Sequence, residues 1–222
     1  MADKRNPLIP DSPSAEFYRV DEDQGNVFTC DEPFDLFEDW LGLARDKELN
    51  DANAMSLATI DQSGMPDVRV VLLKDVSPDG LSFYTDSLSA KGRALEANGV
   101  AALCFHWKSI SRQVRFRGHV ERVGADEADA YFATRARGAQ IGANVSRQSQ
   151  VLASPDTLKE EIAKAEKRFE GQDVPRPEHW SGYLLKPLQI EFWVNRPFRL
   201  HDRLLFSRES ETDQWQTDHL YP

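Results

Sequence analysis

The chain has 222 residues, 40% of them apolar and 29% charged, and a net charge of −10. No apolar run approaches the ~20 residues that cross a bilayer as a helix, and the acidic balance argues against nucleic acid as main partner, because that binding rests on cations at phosphates. The two cysteines, Cys30 and Cys104, have no CxxC or other metal-like spacing and are too few for a disulfide framework, so a cytoplasmic setting is expected.

Residues 1–30 are polar and acidic, with three prolines and no apolar h-region. They read as a flexible N-terminal arm without a secretory signal. From 31 to 48 the period is helical. Phe34, Phe37 and Leu41 recur on one side, with Leu36, Trp40 and Leu43 beside them, and Asp31 is the expected N-cap.

The period then changes to two. Strands are expected at 55–60, 68–75 and 81–85, separated by the turn sequences DQSG (61–64) and SPDG (77–80). Ser89 and Gly99 bracket a short helix as N-cap and stop. Strands follow at 100–107 and 113–123. Helices at 125–136 and 156–170 flank the polar stretch GAQIGANVSRQSQ. The chain closes on strands at 183–194, 198–207 and 215–220. Hairpin-spaced strands with helices between them make a mainly β, α+β chain: an antiparallel barrel carrying peripheral helices.

Cations cluster at 108–122 and 135–147 despite the net charge, which suits a small anionic ligand. If 198–207 is a regular strand, Arg199, His201 and Arg203 share one face, with Trp193 of the same parity beyond Pro197. Such a row is either a solvated face or a seat for an anion. Gln113, Arg115, Arg117 and His119 likewise share one side of a half-buried strand. Tyr131 and Arg135, four apart on the expected helix, offer a phenol and a planar fork of donors on one face, either ordinary surface or a phosphate grip. In Arg69-Val70-Val71-Leu72-Leu73-Lys74, cations bracket an apolar strand. Their parity puts them on opposite faces, so serving one site needs a bulge or a strand end. No HExxH, GxSxG or P-loop occurs, and the five histidines lack metal-like spacing.

In order and spacing, RVVLLK (69–74), FYT (83–85), SAKG (89–92), HWKSISRQVRFRG (106–118), VSRQSQ (145–150), RPEHWSGY (176–183), QIEFW (189–193), RLHDR (199–203) and the closing WQTDHLYP together resemble the pyridoxamine 5′-phosphate oxidase family. The resemblance covers 31–222. It implies one FMN-binding split-barrel domain, Greek-key in character, whose C-terminal region serves dimerisation and the active site. It implies a homodimer with FMN in clefts between subunits. The implied reaction oxidises pyridoxamine and pyridoxine 5′-phosphate to pyridoxal 5′-phosphate with dioxygen, releasing hydrogen peroxide and, from the amine, ammonia.

The resemblance also implies roles. Arg69, Lys91 and Ser149 match positions gripping the FMN phosphate or tail. The 69–74 run, Tyr84, Thr85, Gln113, Gln148, Trp193 and Arg203 match further FMN contacts. Lys74, Tyr131 and Arg135 match the substrate-phosphate pocket, and Arg199, Leu200 and His201 the surroundings of the pyridine ring. Ala90 stands where some members have arginine, and Ala139 where serine is frequent. The alternatives are a same-fold FMN oxidase of the phenazine-biosynthesis type and a flavin-binding module without oxidase activity.

Overall fold

A computed structural model describes residues 25–222. Most of the expected arm lies outside the described residues. Within 25–30, Val27 is buried and Phe28 stacks on Trp40 at 6.1 Å.

Helix α1 spans Pro33–Lys47. Its N-cap is Glu32, not Asp31, and Glu32 makes no side-chain cap bond. Pro33 explains this: proline pushes its predecessor into extended backbone and fits the first helical position, so the boundary falls at 32. The buried stripe is Leu36, Phe37, Trp40 and Ala44, while the expected Leu43 is partly solvated. Phe37 meets Phe105 at 5.0 Å and the edge of Phe116 at 4.9 Å, and Trp40 lies edge-on to Phe192 at 5.2 Å. Fully burying a side chain such as Phe37 contributes about 1.5–3 kcal/mol.

Nine strands form one antiparallel sheet: β1 Ala54–Ile60, β2 Pro66–Leu72, β3 Asp75–Ser77, β4 Gly80–Asp86, β5 Val100–Trp107, β6 Arg112–Arg122, β7 Trp180–Val194, β8 Asp202–Ser207 and β9 Gln216–His219. The order β2-β1-β5-β6-β7-β4-β3, with β8 on β7 and β9 on β8, curls into a split half-barrel. The β1–β2 turn is fixed by Asp61, whose Oδ1 accepts from the N–H groups of Ser63 at 2.8 Å and Met65 at 3.0 Å. The single strand expected at 68–75 is two. Leu73 turns inward, its N–H donating to Asn53 O, and the Lys74 N–H donates to Ser82 O. There the chain leaves β1 and takes up β4 as partner.

Helix α2, Ala90–Asn98, carries the chain from β4 to β5. Its ends are as the sequence indicates: Ser89 Oγ accepts from Gly92 N at 3.1 Å, and Gly99 stops the helix at φ 61°. Strand β7 has 15 residues and two partners besides β6. Its first half pairs with β4 and its second with β8. Pro187, which has no N–H, sits between the halves, opposite a register shift in β6.

Helices α3 (Ala125–Ala133), α4 (Arg137–Val145) and α5 (Pro155–Arg168) cover one end. The polar stretch expected between two helices is itself largely helical. Ile141 is buried against Phe169 and Val174, and Val145 packs beside it. Two apolar residues four apart suffice for this face, though Gly138 and Gly142 lower its helical propensity.

Candidate active site

The residues singled out in the sequence fall into three groups. The first surrounds the N-terminus of α2. Arg69 on β2 donates to Thr59 Oγ1 at 2.7 Å and to Leu57 O at 3.1 Å, and pairs with Asp67 at 2.5 Å. Lys91 Nζ donates to Gln148 Oε1 at 3.0 Å, and Thr85 Oγ1 reaches the same oxygen at 3.4 Å. Ser149, in left-handed backbone at φ 69°, accepts from the Ala90 N–H at 3.0 Å. Burial pushes the Lys91 ammonium below its ordinary pKa, and the neighbouring Arg69 charge adds to the shift. Two cations beside a helix N-terminus form a niche that an anion would relieve. In the run between Arg69 and Lys74, Val70 and Leu72 are exposed, Val71 is half-buried and Leu73 buried.

The second group is next along β4. Tyr84 pairs with Gly182 of β7, where a Cβ would come within 2.6 Å of the Tyr84 ring, so the glycine makes room for it. Tyr84 stacks on Tyr131 at 4.0 Å and on Trp180 at 5.2 Å, and its hydroxyl donates to Glu127 at 3.3 Å. Burial and then Glu127 push the Tyr84 phenol up to about 12. Helix α3 ends at Ala133, so Tyr131 and Arg135 do not share a helical face as expected. Both lie against Trp180 instead. Thr134 caps the helix, and the chain turns Arg135 over the Trp180 ring, 4.7 Å from its centroid. Arg135 Nη1 is buried without a hydrogen-bond partner, and burial lowers the pKa of its guanidinium. Lys74 is exposed just past the end of β2, where its backbone N–H bonds to Ser82 O of β4.

The third group stands at the far end of β7. Gln113, Trp193 and Arg203 form one cross-strand row over β6, β7 and β8. Arg203 Nε donates to Glu191 Oε1 at 2.9 Å, and Arg115 donates to the other oxygen. Arg199 and His201 are not on a regular strand. Pro197–Arg199 is a 3-10 turn with Phe198 at φ 58° and Arg199 at φ 62°, and β8 begins only at Asp202. The shared strand face therefore fails for Arg199 and His201, because Pro197 interrupts the strand. The turn restores proximity by another route. His201 lies 4.5 Å from Trp193, and its Nδ1 accepts from the Arg196 N–H at 3.2 Å. Burial, then Arg199 and Arg203, lower the His201 pKa and favour the neutral ring, and with Nδ1 accepting from Arg196 that form carries its proton on Nε2. Arg199 and Leu200 are exposed on the same turn.

The first two groups adjoin through Tyr84 and Thr85. Among the described residues, no hydrogen bond, ion pair or ring contact joins either to the third. Trp180 and Trp193 are separated by roughly 40 Å of extended strand.

Sequence reasoning missed three residues here: Trp180, Glu191 and Glu127. The first two left a signal. Trp180 and Gly182 alternate large and small on one face of β7, and Glu191 is an acid inside the apolar run QIEFW.

A family model described as pyridoxamine 5′-phosphate oxidase matches residues 44–169, and one described as the pyridoxine 5′-phosphate oxidase C-terminal dimerisation region matches 180–222. A relative from Maricaulis maris, named pyridoxine/pyridoxamine 5′-phosphate oxidase, is 55% identical over 97% of this chain and 98% of its own length. The chain belongs to the pyridoxamine 5′-phosphate oxidase family. A family relative of the same name from Azorhizobium caulinodans is 54% identical over 89% of this chain and 93% of its own. Among solved structures, PhzG from Burkholderia lata 383, determined with tetrahydrophenazine-1-carboxylic acid, superposes with a TM-score of 0.81 at 29% identity, covering 87% of this chain and 94% of that one. An FMN-binding, oxidase-related protein from Nostoc punctiforme shares the family fold, with a TM-score of 0.70 at 17% identity over 88% of this chain and all of its own. No helix among the described residues is long and apolar enough to cross a membrane.

Proposed function

We propose that this chain is an FMN-dependent oxidase that converts pyridoxamine and pyridoxine 5′-phosphate to pyridoxal 5′-phosphate with dioxygen, releasing hydrogen peroxide and, from the amine, ammonia. One observation carries the reading: Tyr84 and Thr85, adjacent on β4, contact two separate cation-bearing clusters, Tyr84 through Tyr131 and Trp180 beside Arg135, and Thr85 through Gln148 beside Lys91. A site for two phosphorylated molecules, cofactor and substrate, needs that arrangement. Relatives more than 50% identical bear the oxidase name, while the phenazine-bound neighbour is 29% identical, which favours the vitamin B6 substrate.

The donor set at α2 fits FMN. Arg69, Lys91 and Ser149 would hold its phosphate, with Thr85, Gln148 and the 69–74 run along it. FMN, when bound, supplies the two-electron acceptor chemistry and passes the electrons to dioxygen. Tyr84, Gln113, Trp193 and Arg203 would complete the flavin contacts. Trp180 of the second group and Trp193 of the third stand at opposite ends of β7, so completing one site calls for a second copy. A homodimer with FMN between subunits meets that need, and the match to a dimerisation region over 180–222 supports it.

Lys74, Tyr131 and Arg135 would grip the substrate phosphate, and remote anchoring of this kind fixes the reacting carbon. Arg199 and His201, with Leu200 between them, would lie over the pyridine ring. His201, whose Nδ1 accepts from the Arg196 N–H, would donate a hydrogen bond from Nε2 to the substrate's oxygen or nitrogen and so orient the group that must lose its proton. Arg199 would stabilise developing negative charge. The test is pyridoxal 5′-phosphate formation with matching peroxide on FMN-loaded protein. Turnover of a dihydrophenazine in place of either vitamin B6 phosphate would overturn the substrate assignment.

A further inference from the structure

Some arginines of this chain are fixed by spending their donors, whereas Arg112, like Arg135, lies over an indole, 4.5 Å from the Trp40 centroid. Arg176 gives Nε to Asp129 at 2.6 Å and Nη1 to Trp180 O at 2.8 Å. Arg203 gives Nε to Glu191 and Nη1 to Tyr221 O. Arg135 is held differently. Its guanidinium carbon sits 4.7 Å from the Trp180 centroid and 5.5 Å from that of Phe132, two rings that meet at 71° and form a corner. An aromatic face attracts a cation through its quadrupole and uses no N–H to do so. Arg135 is thus confined while Nη1 keeps its donors.

Trp180 is itself tightly placed. Its N–H donates to Pro177 O at 2.9 Å, and its carbonyl accepts from Arg176. Its ring lies 14° from parallel with Tyr84 and 6° from parallel with Tyr131. One indole therefore touches a residue of the proposed flavin side and two of the proposed substrate side.

We infer that Trp180 is a positioning residue of the substrate-phosphate clamp: its ring face fixes Arg135 with the guanidinium edge left for an oxyanion. The inference rests on the proposed function, in which Arg135 and Tyr131 hold the phosphate.

The experiment uses the FMN-loaded full chain and four proteins: wild type, Trp180→Leu, Arg135→Ala and the double variant. The readouts are the Kd for pyridoxal 5′-phosphate by equilibrium dialysis, steady-state KM and kcat for pyridoxine 5′-phosphate, and FMN affinity by fluorescence. Trp180→Leu should raise Kd and KM about ten-fold, with a smaller change in kcat and little in FMN affinity. In the Arg135→Ala background the same substitution should add almost nothing, because Trp180 acts through Arg135. Trp180→Phe keeps a ring face and should stay within about three-fold of wild type. If Trp180→Leu fails to fold, Trp180→Met, which also lacks a ring face, takes its place in the cycle. Additive losses in the cycle, or an unchanged Kd in a folded variant, would overturn the inference while leaving the proposed function intact. A wild type that neither binds nor forms pyridoxal 5′-phosphate would overturn both.

Discussion

Glu191 receives Arg203 Nε at 2.9 Å on one carboxylate oxygen and Arg115 on the other, across three neighbouring strands. Burial alone would raise its pKa. The two guanidinium bonds outweigh that and hold the carboxyl below its ordinary value of 4.5.

A depressed carboxylate pKa stabilises the fold above the unfolded value and loses that contribution as pH falls through the folded one. Glu191→Gln should therefore cost about 1–3 kcal/mol near neutrality, with the share owed to half-exposed Arg115 screened by solvent. The gap to wild type should shrink as pH drops below the unfolded carboxylate pKa. Urea midpoints at neutral and acid pH check this, and a gap that widens in acid would contradict it.

His201 has its pKa lowered, first by burial and then by Arg199 and Arg203. Its neutral form is favoured, so its stabilising contribution is present above the unfolded pKa of 6.5 and fades as pH falls through the folded value. Proton NMR of the ring should give a midpoint below 6.5. Arg199→Gln, which removes a repulsive charge, should move that midpoint up.

On the proposed assignment, Arg199→Ala and His201→Ala should retain FMN and lose roughly 10²-fold or more in kcat, the usual weight of a group that orients the substrate or stabilises its charge. Yellow protein with unchanged turnover would sink the assignment.

Lys91→Ala should weaken FMN binding about 10- to 100-fold, as befits a lost charge-assisted bond to phosphate. Riboflavin, which has no phosphate, should bind wild type and variant alike. Equal losses for both ligands would place Lys91 elsewhere in the flavin site. Arg135→Ala should instead raise KM for both vitamin B6 phosphates more than it lowers kcat.

Much of this fold can be read from period and punctuation. Ser89 and Gly99 mark α2, DQSG marks a hairpin, and Val114 and Phe116 alternate as a half-buried strand must. The misreadings cluster where local pattern is silent about partners. Nothing in RVVLLKDVS says that the chain changes sheet edge at Leu73. The Arg199-to-His201 stretch keeps the alternation of a strand, yet Pro197 and two left-handed residues make it a turn. Such backbone costs about 1–3 kcal/mol per residue and needs surrounding structure to hold it. Tyr131 and Arg135 were paired for the wrong reason: their common neighbour is Trp180, 45 positions beyond Arg135 and invisible to helical spacing.

The length of β7 has a genetic consequence. If one site joins the Arg69 group of one subunit to the Arg203 group of another, an Arg69→Ala chain and an Arg203→Ala chain are each inactive for different reasons. Refolded together, half the dimers are hybrids. Each hybrid collects both lesions in one site and leaves the other wild type, so about a quarter of normal activity should return from two dead proteins. Two defective alleles of this gene would then complement each other, and two alleles broken in the same group would not.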